Sequence, residues 1–158
     1  MPDEIKIRLA TTHDLPEILR LFTGTVEHVA RQDYASKQLT VWVASAHNQK
    51  RWHQAIDNQY FIVATVDETI AGFGSLDQNG YLDFLYVHKD YQRQGIAYLL
   101  YGALEQEAIR AGYPQITTDA SKTIQNFFVR QGFSLVRENQ KQIKGVELIN
   151  YRMSKDLI

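Results

Sequence analysis

The fold is indicated most strongly by DYQRQGIAYLLYGALEQEAIRAG, residues 90 to 112. A short polar loop with one glycine is followed by apolar residues that recur on one face of a helix. Gly112 is expected to end this helix. An apolar segment, residues 80 to 87, comes just before the loop, so this region predicts a strand, a loop and a helix. The predicted apolar face consists of Ile96, Leu99, Leu100, Ala103, Leu104 and Ala108.

The chain before this region predicts a strand, helices and a hairpin. Residues 4 to 10 alternate apolar and polar side chains, which is typical of a half-buried strand. A helical stripe over residues 15 to 29 follows the capping candidates Thr12 and Asp14. One or two short helices are expected over residues 36 to 58. Residues 60 to 66 and 69 to 76 predict a hairpin, although its turn, Asp67-Glu68, lacks the usual glycine.

The chain after residue 112 predicts a short strand at residues 115 to 120, a short helix at 121 to 132 and a closing hairpin from 133 to 153. The predicted order is one strand, two helices, three strands, then helix, strand, helix and two strands. This order is typical of an α+β fold with a mixed sheet and helices on its faces. Because the 158 residues contain no repeat or linker, we expect a single domain spanning residues 1 to 158.

Composition excludes several classes of protein. The chain has no cysteine, which excludes disulfides, thiolate metal sites and covalent catalysis through a thiol. Its net charge of −1 gives no net attraction for nucleic acid or an anionic membrane, so neither is an expected partner. No apolar run approaches the ~20 residues of a spanning helix, and the acidic start lacks the features of a secretory signal. The expected location is cytoplasmic.

The polar loop has features that suit an anion. A helix N-terminus leaves backbone N–H groups unpaired and carries a partial positive charge. Gly95 would allow close approach of the backbone, and Arg93 could add a charge-assisted contact. The loop matches neither the Gly-Lys nucleotide-binding loop nor the three-glycine dinucleotide motif. Considered without their context, these residues favour an ordinary strand-to-helix turn over an anion site.

Two motifs together resemble the GNAT (GCN5-related N-acetyltransferase) superfamily. QRQGIA, residues 92 to 97, is similar to the family's Gln/Arg-x-x-Gly-x-Gly/Ala signature, which cradles the pyrophosphate of acetyl-CoA. SKTIQNFFVRQGF, residues 121 to 133, is similar to the family's Asn-x-x-Ala-x-x-Phe-Tyr-x-x-x-Gly-Phe helix, with matches at Phe127, Gly132 and Phe133. The order of elements also agrees, and the chain is similar to small bacterial members whose substrates are unassigned.

The resemblance implies a GNAT acyl-CoA N-acyltransferase fold: a central twisted, mostly antiparallel sheet with helices on both faces. It implies acetyl-CoA (CoA) as the cofactor. Backbone N–H groups of residues 94 to 97 would hold the pyrophosphate, and residues 85 to 87 would present their backbone to the pantetheine arm where two strands splay apart. The expected cofactor-binding residues are Leu85, Tyr86, Val87, Gln92, Arg93, Gln94, Gly95, Ile96, Ala97, Tyr98, Ser121, Phe127 and Phe128.

Three positions depart from the family pattern. Ala97 replaces the second glycine, Ser121 replaces the usual asparagine, and Phe128 replaces a tyrosine that is usually assigned as the acid for the departing thiolate. Such acids contribute roughly 10²- to 10⁴-fold, but a thiol of pKa about 8.5 is already a fair leaving group. We therefore expect slower rather than abolished turnover. Tyr86 or Tyr98 could substitute, although a packed or half-exposed aromatic is the favoured interpretation of each.

Direct transfer to an amine also needs a group that removes a proton. An alkyl amine of pKa about 10.4 is neutral in only about one part in 10³ at pH 7, so a base or a water chain is expected. Asp83 is the first candidate, predicted to share a face with Tyr81 and Leu85; burial would raise its pKa. The alternative is a solvent-facing aspartate. Asp119 is the second candidate, with helix capping as its alternative.

The expected substrate-binding residues are Tyr34, Trp42 and Trp52, which lie in the helical segment that, by resemblance, walls the acceptor pocket. The tryptophans fit a core equally well. His47 and His53 are not at a recognised ligand spacing, so no metal is predicted. We also expect that the final hairpin offers an edge on which a second copy could pair as a homodimer.

The predicted function is an acetyl-CoA-dependent N-acetyltransferase that acts on a primary amine of a small-molecule or peptide acceptor by direct nucleophilic attack. The alternative is a non-catalytic acyl-CoA-binding sensor or interaction module, which the missing hydroxyl at Phe128 favours. The identity of the acceptor and the preferred acyl length do not follow from these patterns.

Overall fold

Seven strands form one sheet in the order β1-β2-β3-β4-β5-β7-β6 in the computed structural model, which describes residues 4 to 158. Neighbouring strands are antiparallel except β4 and β5, which are parallel. The strands are β1 (Ile5–Leu9), β2 (Tyr60–Val66), β3 (Thr69–Leu76), β4 (Tyr81–Val87), β5 (Gln115–Ser121), β6 (Ser134–Ile143) and β7 (Val146–Asp156). The predicted mixed, mostly antiparallel sheet is confirmed.

Five α-helices connect these strands: α1 (Leu15–His28), α2 (Ser36–Val43), α3 (Gln49–Asn58), α4 (Ile96–Arg110) and α5 (Gln125–Arg130). Short 3₁₀ turns lie at Thr12–Asp14, Ala30–Gln32, Ala44–His47, Gln78–Gly80 and Lys89–Tyr91. The segment between β1 and β2 therefore contains three α-helices. Two of them lie in residues 36 to 58, within the prediction of one or two short helices there, although the predicted order counted only two helices in the whole segment. Within residues 4 to 158, no helix is both long and apolar enough to cross a membrane.

The centre of the sheet is buried on both faces. On one face, Leu82 and Leu85 pack with Leu100 and Leu104 of α4. On the other face, Phe61, Phe73 and Phe84 pack with residues of α1 and α3, including Ile18 and Trp52. Central strands covered on both faces are nearly continuously apolar, as β2 and β3 are here. The predicted placement of helices on both faces is confirmed.

Two predictions of burial were wrong in part. Leu9 in β1 is 61% exposed and Ile7 36%, because β1 lies at the edge of the sheet, beyond the helices that cover its centre. Leu99 in α4 is 42% exposed, and Tyr101 is buried instead. Tyr101 packs edge-on against Phe127, Phe128 and Phe133, so contacts with α5 extend the buried face of α4.

The two-residue turns of both hairpins use left-handed backbone. Asp67 and Glu68 have φ of 48° and 69°, which is the conformation that a tight hairpin turn requires even without glycine. Lys144 and Gly145 have φ of 51° and 76° at the turn between β6 and β7. Both predicted hairpins are therefore confirmed. The second hairpin places β6 at the free edge of the sheet, where pairing with a second copy stays a prediction.

Helix α4 is held against the sheet by a glycine in β3. A Cβ atom added to Gly72 would lie 2.9 Å from both Ile96 Cγ2 and Leu100 Cδ1, and 3.1 Å from the carbonyl oxygen of Tyr86. These distances are shorter than van der Waals contact. The first turn of α4 can therefore approach β3 and β4 this closely only because residue 72 has no side chain.

We predict that Gly72→Ala lowers the free energy of unfolding by about 1 to 3 kcal/mol, because overpacking forces α4 to shift. Chemical denaturation monitored by circular dichroism measures this. Gly102→Ala is the matched control: its Cβ would meet no atom within 4 Å, and alanine favours a helix. Equal stability of the two variants would contradict the close seating of α4.

Candidate active site

The parallel strands β4 and β5 pair at only two positions and then separate. Tyr81 lies beside Thr117 and Leu82 beside Thr118, where the Thr118 hydroxyl also donates to the Leu82 carbonyl at 2.9 Å. Beyond this point a cavity of about 900 Å³ opens between the strands. The volume lies within the usual range for small-molecule sites. The cavity is lined by both separating strands, the loop before α4, α5, and the β6–β7 hairpin.

A bulge in β4 lies at the start of this separation. Ser75 of β3 pairs with Phe84 and Leu76 pairs with Leu82, which leaves Asp83 without a partner in β3. A bulge bends its strand and breaks the alternation of side chains. Leu82 and Leu85 consequently face α4, whereas the Asp83 side chain contacts α3. The prediction that Asp83 shares a face with Leu85 was wrong for this reason.

Asp83 is buried, but it is held in an ion pair. Its side chain is 8% exposed, and its two oxygens accept hydrogen bonds from Arg51 at 2.8 and 3.2 Å. Gln59 Nε2 donates a further hydrogen bond to Oδ2 at 2.8 Å. The Arg51 guanidinium also lies 5.0 Å from the centre of the Phe84 ring. Asp83 is therefore not the unpaired carboxylate expected of a base; it joins α3 to the bulge.

Asp119 is held even more firmly. It accepts hydrogen bonds from Arg152 at 2.8 and 2.9 Å, from the Tyr81 hydroxyl at 2.8 Å and from Asn139 at 2.8 Å. Burial acts to raise the pKa of Asp119, but the hydrogen bonds from Arg152 and Tyr81 outweigh it and hold the pKa below its ordinary value. Asp119 joins β4, β5, β6 and β7, and its role as a base stays a prediction. The alternative role, helix capping, is not observed, because the N-cap of α5 is Ile124.

The loop before α4 leaves the start of the helix open. Gly95 is the N-cap residue, with φ of 83°, and it has no side chain that could accept the first N–H groups of α4. Arg93 also has a left-handed backbone, with φ of 61°, and its exposed side chain belongs to the cavity lining. An uncapped N-terminus beside an arginine has the geometry and charge of a phosphate-binding site.

The end of β4 is fixed by two hydrogen bonds to one carbonyl. Thr25 Oγ1 of α1 donates to the Val87 carbonyl at 2.8 Å, and Gln92 Nε2 donates to the same oxygen at 2.7 Å. The side chain of Gln92, one of the expected cofactor-binding residues, is thus directed to the end of β4. Its amide holds the loop against the strand, so that the backbone of residues 93 to 97 starts from a defined position.

Most of the expected cofactor residues lie along one wall. Gln94 is exposed and does not line the cavity, whereas its neighbours Arg93 and Gly95 do. The residues that line the cavity are Leu85, Tyr86, Val87, Gln92, Arg93, Gly95, Ile96, Ala97, Tyr98, Ser121, Phe127 and Phe128.

The candidate acid positions differ in their surroundings. Phe128 is buried and packs edge-on against Phe127 and Phe133, with centroid distances of 5.5 and 5.0 Å. Tyr86 lines the cavity next to Phe22, and burial raises the pKa of its hydroxyl, which weakens it as a proton donor. Tyr98 is 63% exposed, which agrees with the alternative of a half-exposed aromatic.

The expected acceptor residues separate into two groups. Tyr34 and Trp42 line the cavity with ring centroids 5.3 Å apart. Trp52 is 2% exposed and stacks on Phe84 at 4.4 Å, and its Nε1 donates to the Ser45 carbonyl at 3.0 Å. Its assignment to the substrate pocket was wrong, because the ring fills the core between α3 and β4.

Tyr34 has a second role that the sequence did not reveal. Its hydroxyl accepts a hydrogen bond from Lys122 N at 2.8 Å and donates one to the Ile149 carbonyl at 2.8 Å. The β5–β7 register ends with Ser121 beside Asn150, so these two groups would have formed the next rung of the ladder. The phenol is inserted where the two strands part. Burial raises the pKa of this hydroxyl.

Sequence reasoning also missed the β6–β7 hairpin as part of the site. Lys141, Ile143, Leu148 and Asn150, which line the cavity, lie at alternate positions of the two strands, and Ile149 between them also belongs to the lining. Their period-two pattern was visible, but which face would meet the cavity depends on the packing of the hairpin beside β5 and α2. Within residues 4 to 158, no cluster of three His, Asp or Glu side chains is placed to hold a metal ion.

Comparison with known proteins agrees with this geometry. The family model of the GNAT acetyltransferase domain matches residues 30 to 155. An uncharacterised N-acetyltransferase of Escherichia coli, YafP, is 28% identical over 151 residues, which cover 96% of this chain and 95% of that protein. The chain belongs to the GNAT acetyltransferase family, and the predicted enzyme class, an acetyl-CoA-dependent N-acetyltransferase, is confirmed.

Solved structures show the same fold. A GCN5-related N-acetyltransferase from Rhodopseudomonas palustris, also described as a class-II aminotransferase, is 28% identical, with a TM-score of 0.93 over 99% of both chains. The PaiA N-acetyltransferase of Thermoplasma acidophilum, crystallised with coenzyme A, is 18% identical, with a TM-score of 0.78 over 97% of this chain and 99% of that one.

We predict that Gly95→Ala weakens binding of CoA at least tenfold. A residue with a Cβ pays about 1 to 2 kcal/mol in left-handed backbone, so the loop is expected to relax away from the open helix end. Isothermal titration with CoA measures the affinity. Gly112→Ala is the matched control: φ is 79° there, a Cβ meets nothing within 4 Å, and the residue lies at the other end of α4. Equal CoA affinity in both variants would contradict a phosphate site at this loop.

We predict that Asp119→Asn lowers the free energy of unfolding near pH 7 by about 1 to 3 kcal/mol, the usual size for hydrogen bonds to a charged group. The pKa of Asp119 is lowered in the folded protein, so its contribution is present above the unfolded pKa of about 3.9 and is lost as the pH falls below it. Denaturation of wild type and variant at a series of pH values tests this.

Asp57→Asn provides the control for Asp119, because Asp57 is an exposed aspartate on α3. Its effect should stay within about 0.5 kcal/mol. A difference between wild type and Asp119→Asn that does not shrink in acid would show that the ion pair with Arg152 is not the source of the stability.

Proposed function

We propose that this chain acetylates a primary amine of a small-molecule or peptide acceptor by direct attack on acetyl-CoA. The observation that carries the proposal is one cavity with two unlike walls. An open helix N-terminus with Arg93 lies on one side, and the aromatic rings of Tyr34 and Trp42 lie on the other. The part of the cavity that opens where β4 separates from β5 lies between these two walls.

The residues of the first wall fit acetyl-CoA. The backbone N–H groups of residues 94 to 97 and the Arg93 side chain would hold its pyrophosphate. The backbone of residues 85 to 87 would hold the pantetheine arm, because β5 no longer pairs with β4 there. Ser121, Phe127 and Phe128 line the same wall. When bound, acetyl-CoA supplies an acetyl group already activated as a thioester.

The chain contributes position and polarisation more than acid–base chemistry. The carbonyl of Val87, held by Thr25 and Gln92, fixes the strand end from which backbone N–H groups would polarise the acetyl carbonyl. A bond forms between the amine nitrogen and the acetyl carbon, and the bond from that carbon to sulfur breaks. The amine gives up one proton, and the sulfur leaves as a thiolate that is protonated from solvent.

Water is the proton acceptor that the surroundings favour. Asp83 and Asp119 are each paired with an arginine, so neither offers a free carboxylate to the amine. Phe128 supplies no proton to the sulfur. Because the CoA thiol has a pKa of about 8.5, its thiolate is a fair leaving group even without a general acid. The proposal therefore expects turnover that is slow for an enzyme with a positioned acid and base.

The test is thiol release from acetyl-CoA with a panel of amines that includes amino acids, aryl alkyl amines, polyamines and short peptides. We predict amine-dependent release whose rate rises with pH through the neutral range, because the neutral amine becomes more abundant. Binding of acetyl-CoA in a thermal-shift assay, without release for any amine, would instead favour the sensor that Phe128 suggests.

A further inference from the structure

The negative charges that line the cavity are paired, whereas the positive charges that line it are not. Its two carboxylates, Asp83 and Asp119, are each neutralised by an arginine. Its cationic side chains Arg93, Arg130 and Lys141 form no ion pair within residues 4 to 158. The cavity therefore presents a surplus of positive charge to a molecule that enters it. Among the described residues that line it, none carries an uncompensated negative charge.

These three cations lie on different walls. Arg93 precedes α4, and Arg130 ends α5 next to the aromatic residues of the cofactor wall. Lys141 lies instead on β6, in the hairpin that contacts the acceptor side. The Tyr34 hydroxyl donates to the Ile149 carbonyl of this hairpin, and Gln38 Nε2 of α2 donates to its Glu147 carbonyl at 2.8 Å. Lys141 therefore belongs with the aromatic wall.

The hairpin face that carries Lys141 is identified by its neighbours. Asn139 Nδ2 donates to Asp119 at 2.8 Å and to Asn150 at 2.9 Å, which directs this face toward the cavity. Lys141 follows two residues later, paired with the cavity-lining Leu148, so it shares the face of Asn139.

The acidic residues near Lys141, which are Glu138 and Glu147, lie on the other face of the hairpin. Glu138 is adjacent to Asn139 and accepts a hydrogen bond from Gln140 Nε2 at 3.1 Å. Glu147 pairs with Gln142, one position away from the Lys141–Leu148 pair. Because side chains alternate along a strand, neither glutamate competes for Lys141 on the cavity side.

Resting on the proposed function, we infer that the acceptor is an amine of the amino-acid class, with a carboxylate and an apolar side chain, and that Lys141 binds its carboxylate. The ammonium of Lys141 attracts an anion, and Tyr34, Trp42, Ile143 and Leu148 provide the apolar and aromatic surface beside it. A polyamine would bring a second positive charge toward Lys141 and would find both carboxylates already paired.

The experiment compares acceptors that differ only in the carboxylate: phenylalanine with phenethylamine, and leucine with isopentylamine, with spermidine as the polycation. Wild type, Lys141→Gln and Lys141→Glu are assayed by thiol release for kcat and KM. Lys144→Gln is the matched control, because it removes the same charge from the same hairpin outside the cavity lining. Comparing variants on one acceptor cancels the difference in amine pKa within each pair.

We expect wild type to prefer the carboxylate member of each pair. Because Lys141 is exposed, Lys141→Gln should raise KM for phenylalanine by up to about fivefold, the upper scale of a solvent-exposed ion pair, and leave KM for phenethylamine and both kcat values close to wild type. Lys141→Glu should reverse the preference, and Lys144→Gln should behave as wild type. An unchanged thermal shift with acetyl-CoA would confirm that the variants are folded.

Two results would overturn the inference. Equal or better transfer to phenethylamine and spermidine in wild type would exclude a carboxylate site while leaving the proposed function intact. So would an equal effect of Lys141→Gln on both members of a pair. Absence of thiol release with every amine, despite acetyl-CoA binding, would instead remove the proposed function, and the inference with it.

Discussion

The parting of β4 from β5 is the constraint on which the rest of the site depends. The two strands pair at only two positions, and the bulge at Asp83 bends β4 just where that pairing ends. The ion pair between Asp83 and Arg51 ties the bulge to α3 and keeps a buried charge compensated. Without this separation the sheet would be continuous, and the cofactor and acceptor walls would not share a cavity.

The arrangement of charge follows from the same geometry. Residues that a sheet brings to the edge of an opening are partly buried, and a partly buried carboxylate is stable only with partners. Arg51 and Arg152 supply these partners from outside the cavity lining, so the carboxylates hold the walls together. In the proposed reaction these carboxylates do not move protons, and the acceptor meets an aromatic surface and a lysine. The proposed chemistry then rests on position and on the activated thioester.

The conformation of the loop before α4 could be predicted because its properties are local. The order of residues 92 to 97 between a strand and an amphipathic helix indicated a helix start with unpaired N–H groups, and only the family resemblance made this helix start an expected site for the pyrophosphate of acetyl-CoA. The turn at Asp67-Glu68 and the order of the later strands could also be predicted from short stretches of sequence. The surroundings of the catalytic candidates are not local, since the arginine partners of Asp83 and Asp119 are 32 and 33 residues away in the chain. The family pattern likewise did not show that the Gln92 side-chain amide donates to the Val87 carbonyl at the end of β4.

Local sequence was thus sufficient for the elements, their order, the family and the conformation of the loop before α4, because backbone propensity, periodicity and a short motif act over a few residues. Folding determined which carboxylates are paired, where alternation in β4 is broken, and which face of the β6–β7 hairpin meets the cavity. It also placed Trp52 in the core and the Tyr34 hydroxyl between two strands. The physical reason is that burial, ion pairing and register are set by residues distant in the chain, and no local pattern encodes which of them will meet.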